Sequence, residues 1–243
     1  MKRLAGLLAL AALLSACGGG SDAQPTVYAA ASLTEAFEQI EPDARFNFAG
    51  SDELATQLRE GGKADVYASA DPRYALELYR AGLVERPLTL VANQVVLAVP
   101  RSNPASIDDL ADLARPDVKL VLGAPGVPVG DYARRALRQR TDGEAILGNV
   151  VSEEPDVKGV LAKLDLSEAD AGFVYTSDVH AAKGKVQAIY PAIANPVYAV
   201  AVVRDGHPDR ARAFLEQVFS KAGQRALLRA GFVAVQTAGE PLR

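Results

Sequence analysis

Ala29-Ala30-Ala31-Ser32-Leu33-Thr34-Glu35 closes an apolar strand and opens a helix with no spacer between them. Ser32 and Glu35 stand in capping-box spacing, which predicts that Ser32 sits at a helix N-terminus. Phe48-Ala49-Gly50-Ser51-Asp52-Glu53-Leu54 repeats the arrangement: a strand, a serine, then an amphipathic helix. Two such turns in succession specify α/β units, because a helix that follows a strand this closely must pack back over a sheet.

Outward from these turns the alternation continues. Strands are expected at 26–30, 45–49, 66–69, 94–99, 119–123, 171–175 and 197–203. Helices are expected at 33–40, 51–60, 72–81, 106–114, 129–139, 155–164, 208–220 and 222–229. The pattern predicts largely parallel sheets flanked by helices. Gly126-Val127-Pro128-Val129-Gly130 and Glu154-Pro155-Asp156-Val157 each place a proline near the first turn of a further helix. In open α/β sheets such turns gather at the carboxyl ends of strands, where ligands bind.

A helix N-terminus offers unpaired N–H groups and the positive end of the helix dipole. Several converging on one point would therefore hold an anion without Lys or Arg. Any single serine in such a turn is equally well read as an ordinary cap. Asp52 and Glu53 suit a helix first turn electrostatically and are expected to face solvent, since a carboxylate aimed at an anion would repel it. Tyr67, Tyr74 and Tyr79 are expected to be core or surface aromatics.

The N-terminal segment is of a different kind. Lys2 and Arg3 precede an eleven-residue apolar run from Leu4 to Leu14, too short to span a bilayer and of the length of a signal-peptide core. Leu14-Ser15-Ala16-Cys17 follows and resembles the bacterial lipobox, in which the cysteine becomes the lipidated N-terminus. The expected organisation is a signal peptide over 1–16 and a lipidated Gly/Ser tether over 17–25, which anchors the rest at a membrane facing the periplasm or cell exterior. Cys17 is the only cysteine, so the exported part has no disulfide and no thiolate.

Among 243 residues, 49% are hydrophobic and 23% charged, proportions that describe a globular protein with a real core. Lys and Arg number 26 against 30 Asp and Glu, which argues against broad binding to nucleic acid. No nucleophile elbow, P-loop or dinucleotide fingerprint occurs, and His180 and His207 lack metal-ligand spacing. His180 is expected in a loop. A hydrolase could be assembled on paper from Ser51, His180 and Asp178, without support from their spacing.

The order and wording of the segments resemble the molybdate-binding proteins of bacterial ABC importers. The matching stretches are VYAAASLTEAF at 27–37, FAGSDELATQL at 48–58, ADVYASAD at 64–71, LGAPGVPVGDYARRAL at 122–137, DVKGVLAKL at 156–164 and AGFVYTSDV at 171–179. The resemblance implies a two-lobed periplasmic binding protein fold of type II, with one lobe at 26–93 and 198–243 and the other at 94–197. It implies that Ser32 and Ser51 offer hydroxyl and N–H donors, Val129 and Val157 backbone N–H groups, and Tyr175 its phenolic hydroxyl. The metal would be bound only as its oxyanion, molybdate or tungstate, with no direct protein ligand and no resident cofactor. It further implies a monomeric, non-enzymatic receptor that delivers its ligand to a membrane permease. Sulfate or another small oxyanion is the alternative ligand, and an exported hydrolase the weaker reading.

Overall fold

The computed structural model describes residues 24–242. The signal peptide, most of the tether and Cys17 lie outside the described residues.

The chain builds two five-stranded sheets. The first contains β1 (Thr26–Ala30), β2 (Arg45–Ala49), β3 (Val66–Ser69), β4 (Leu88–Ala92) and β10 (Val197–Val202), in the order β2-β1-β3-β10-β4. The second contains β5 (Val95–Pro100), β6 (Leu120–Gly123), β7 (Val150–Glu154), β8 (Ala171–Tyr175) and β9 (Val186–Ala194), in the order β7-β6-β8-β5-β9. The chain crosses between sheets at Asn93-Gln94 and returns at Asn195-Pro196. The Asn93 N–H donates to the Pro196 carbonyl at 2.9 Å, tying the two crossings together.

The α/β architecture is the expected one, but the sheets are mixed rather than largely parallel. β1 runs parallel to β2 and β3, and β6 parallel to β7 and β8. The strands next to the crossings are antiparallel to their neighbours: β10 with β3 and β4, and β5 with β8 and β9. The chain leaves the first sheet along β4 and re-enters it along the neighbouring β10, and it enters the second along β5 and leaves along the neighbouring β9, so outgoing and returning strands lie side by side in opposite directions.

The helices are α1 (Thr34–Ile40), α2 (Ser51–Arg59), α3 (Pro72–Arg80), α4 (Pro128–Leu137), α5 (Gly143–Gly148), α6 (Val157–Asp165), α7 (Thr176–Ala181), α8 (Pro208–Phe219) and α9 (Lys221–Arg229). None among the described residues is long and apolar enough to cross a membrane. Helices α1 and α8 meet through Phe37 and Phe214, edge to face at 5.2 Å, an arrangement that adds to the burial of two large apolar rings.

The helix expected at 106–114 is only a 3-10 turn at Ala111–Ala114. Asn103 and Ser106 adopt positive φ, and side chains take the backbone bonds that a helix would use. Asn103 holds both the N–H and the carbonyl of Ile107, while Asp109 and Asp112 accept from nearby backbone N–H groups. Short Asn and Asp side chains compete with helix in this way.

Candidate functional site

The carboxyl ends of β1, β2, β6 and β8 and the start of α6 converge on one cavity between the sheets. Ser32, Ser51, Val129, Val157 and Tyr175 all line it, alongside Gly50, Ala70, Pro128 and Asp156. The cavity is small and suits a compact ligand of a few heavy atoms. Its described lining contains no Lys or Arg.

Ser32 does not cap a helix as its spacing with Glu35 predicts. It lies within a 3-10 turn, Ala31–Leu33, that precedes α1, and neither helical start takes a side-chain cap bond. The buried hydroxyl instead pairs with the phenol of Tyr198 at 2.8 Å. Ser51 is the first residue of α2, behind an uncapped Gly50, and its Oγ accepts the Ala70 N–H at 3.0 Å. A backbone N–H can only donate, so the Ser51 proton remains free for the cavity. Tyr67, fully buried, donates to the Ser51 carbonyl at 2.7 Å and braces the turn.

Val129 follows Pro128 in the first turn of α4, and Val157 opens α6 behind its N-cap Asp156. Their N–H groups belong to the first helical turn, which has no intrahelical acceptors. The Asp156 carboxylate accepts from the Gly159 N–H at 2.9 Å, so this acidic member of the lining is engaged by its own helix. Tyr175 ends β8, and its buried hydroxyl has no partner among the described residues. Burial raises the phenols of Tyr175 and Tyr198 well above their ordinary value, so both are neutral donors.

The sheets close over this cavity. Lys158 of α6 reaches Glu35 of α1 at 2.7 and 2.8 Å. On another side Arg73 pairs with Asp131 and donates to the Gly126 carbonyl at 3.1 Å, where Tyr74 also donates. At Gly50 the two backbones come so close that a Cβ would fall 2.6 Å from the Pro155 carbonyl oxygen.

Asp52 departs from expectation. Glu53 is exposed, but Asp52 is half-buried against Gly126, with one carboxylate oxygen lacking a partner. Closure of the second sheet over α2 puts it there, and burial raises its pKa. Tyr74 stands at the same seam, and Tyr79 is exposed.

His180 lies in α7 rather than a loop. Asp178 is fully buried and accepts the Tyr175 N–H, whereas the Ser51 oxygen is bonded to Ala70. The paper triad of Ser51, His180 and Asp178 therefore has no hydrogen-bonded chain. Sequence reading missed Asn93, Asp156 and Tyr198. For Asp156 the signal was present, an aspartate directly before a helix.

Comparison with known proteins agrees with this fold. The family model for bacterial extracellular solute-binding proteins matches residues 25–233. The molybdate-binding protein ModA of Mycobacterium tuberculosis is 40% identical over 92% of this chain and 94% of its own length. That of Escherichia coli is 32% identical over 93% of this chain and 96% of its own. Among solved structures, the periplasmic molybdate-binding protein of Azotobacter vinelandii superposes with a TM-score of 0.76 at 17% identity, covering 88% of this chain and all of that one, a likeness of fold.

Proposed function

The chain belongs to the bacterial extracellular solute-binding proteins, and within them to the molybdate-binding proteins, and from that membership we propose that it captures molybdate between its lobes and delivers it to an ABC importer. The observation that carries this reading is a closed cavity whose free polar groups are donors: Tyr175 without a partner among the described residues, Ser51 with its proton free, and helix first turns at Val129 and Val157. Neutral donors in a desolvated site stabilise a tetrahedral dianion and leave the proton of a monohydrogen phosphate without an acceptor. Sulfate has the right charge but is smaller, so it stretches the same bonds. Tungstate nearly matches molybdate in size and charge and is taken as a second ligand.

Ligand bridging drives closure. The interlobe pairs Lys158–Glu35 and Arg73–Asp131 are partly exposed, and such pairs contribute about 0–1 kcal/mol each, too little to hold the lobes shut alone. An anion gripped by Ser32 and Ser51 on one side and Val129, Val157 and Tyr175 on the other binds the closed form preferentially. The permease reads that form and reopens it. The receptor acts as a monomer without catalysis or resident cofactor, held outside the cytoplasm by lipid on Cys17. Replacement of Cys17 by serine is expected to abolish incorporation of labelled lipid, and unchanged labelling would remove the anchor from the proposal.

The decisive experiment is thermal unfolding of the purified protein with molybdate, tungstate, sulfate or phosphate. A ligand at about 1,000 times its dissociation constant stabilises the fold by roughly 4 kcal/mol, a readily visible rise in midpoint. Molybdate and tungstate are expected to give it. A rise with sulfate alone would transfer the site to the alternative ligand. Ser32→Ala and Ser51→Ala are each expected to weaken molybdate binding by about 1–3 kcal/mol, the worth of a hydrogen bond to a charged group. Parental affinity in both would refute the site.

A further inference from the structure

A chain of buried hydrogen bonds runs from the crossing between the sheets to the cavity. It starts at Asn93, fully buried between β4 and β5. The Gln94 N–H donates to Asn93 Oδ1 at 2.9 Å. Since that N–H cannot accept, the amide orientation follows, and Nδ2 faces the Ser177 hydroxyl at 2.9 Å and the Tyr198 phenol at 3.3 Å. The Tyr198 oxygen therefore receives a proton from Asn93. Tyr198 is itself fully buried, and its own proton needs an acceptor. Ser32 Oγ, at 2.8 Å, supplies it. With one lone pair taken by Tyr198 and its own proton not spent on that bond, Ser32 turns its proton toward the cavity. Ala70 imposes the same polarity on Ser51 from the other side.

We propose that Asn93 and Tyr198 are positioning residues for specificity, a relay that forces Ser32 to act as a donor and so keeps the cavity closed to protonated oxyanions. This deepens the oxyanion-binding reading and rests on it. Asn93 also ties the two crossings through its N–H bond to Pro196, so the relay is anchored at the part of the chain about which the lobes would turn. The directions follow in turn: the Gln94 N–H fixes the amide, the amide Nδ2 donates to the phenol, and the phenol passes its proton to Ser32 Oγ, the acceptor 2.8 Å away.

Asn93→Asp tests the relay because it changes polarity and hardly changes shape. A carboxylate at position 93 accepts from Tyr198, Tyr198 in turn accepts from Ser32, and the Ser32 proton turns away from the cavity. Tyr198→Phe removes the middle link and frees Ser32 to donate or accept. Sulfate and hydrogen phosphate are the probes, measured by competition against molybdate at mildly alkaline pH. Both are then tetrahedral dianions of similar size, and they differ by one proton.

In Asn93→Asp, molybdate and sulfate are expected to bind about 10- to 100-fold more weakly, the loss of a hydrogen bond to a charged group. Hydrogen phosphate loses less, because its proton gains an acceptor, so the sulfate-to-hydrogen-phosphate ratio falls about tenfold. Tyr198→Phe lowers the ratio in the same direction by less. General loosening of the fold would weaken all three anions together and leave the ratio where it was. An unchanged ratio in both variants, with the parent binding molybdate, overturns the relay alone. A parent that binds none of these anions overturns the functional reading and the relay with it. Should Asn93→Asp fail to fold, as seen from its ligand-free unfolding, the ratio in Tyr198→Phe decides.

Discussion

Replacing Gly130 by alanine is expected to lower the unfolding midpoint and the affinity for molybdate together. Gly130 lies in the first turn of α4, where the helix abuts the end of β6, and a Cβ built on it falls 2.1 Å from the Gly123 carbonyl oxygen. That oxygen cannot step aside. Gly123 belongs to an interior strand paired with Glu154 of β7, and the same carbonyl accepts from Arg134, a nearly buried arginine that also pairs with Glu153. The helix must therefore retreat, loosening the Arg134 bond and shifting the Val129 N–H that lies one residue away. Overpacking of this kind costs about 1–3 kcal/mol, and a clash with the Gly123 backbone on one side and the Arg134 guanidinium beside it puts Gly130→Ala near about 3 kcal/mol. A hydrogen-bond donor displaced by an ångström is no longer within bonding geometry, so affinity falls with stability. Chemical denaturation and a molybdate titration of the same variant test both halves, and parental values in either would show that the turn yields more easily than its geometry indicates.

What could be read from the sequence follows from where the apolar pattern is strong. β1, β3, β6 and β8 are interior strands whose apolar runs stand out between helices, and the turns that follow β1, β2, β6 and β8 line the cavity. The strands that escaped, β4, β7 and β9, are all sheet edges. β7 alternates partly buried and exposed residues and ends in two glutamates, and β9 carries Pro191. A proline argues against a strand from sequence, yet it is tolerated at an edge where no neighbour asks for its missing N–H. α5 and α7, six residues each, are too short for a helical period to emerge. The polar interior was the least legible part. Asn93 reads as a loop residue and Tyr198 as a strand aromatic, and nothing in their surroundings announces that a hydroxyl 166 positions from Tyr198, that of Ser32, completes the chain between them. Hydrogen bonds across such separations depend on how the lobes meet, which no local pattern encodes.

The second large effect concerns acid. Asp178 is fully buried behind Tyr175, and burial, only partly offset by Lys158 at 3.4 Å, lifts its pKa from an ordinary 3.8 to about 6. Below about pH 4 the carboxyl is protonated whether the chain is folded or not. Between there and about pH 6 the unfolded chain gives up a proton that the folded one keeps. Stability therefore falls as pH rises through this window, by about 3 kcal/mol in all when 1.36 kcal/mol is taken per pKa unit. Asp178→Asn keeps an oxygen for the Tyr175 N–H but has no proton to release, so its stability is expected to be flatter across the same range. The raised pKa of Asp52 leaves a smaller residual slope in the same direction, while the lowered pKa of Asp65 acts below the window and in the opposite sense. Denaturant midpoints of parent and variant at a series of pH values measure the difference directly. Parallel curves would mean that Lys158 neutralises Asp178 fully. That outcome is disfavoured by the structure, because the same ammonium is held at 2.7 Å by Glu35 across the cleft and cannot compensate two carboxylates at once.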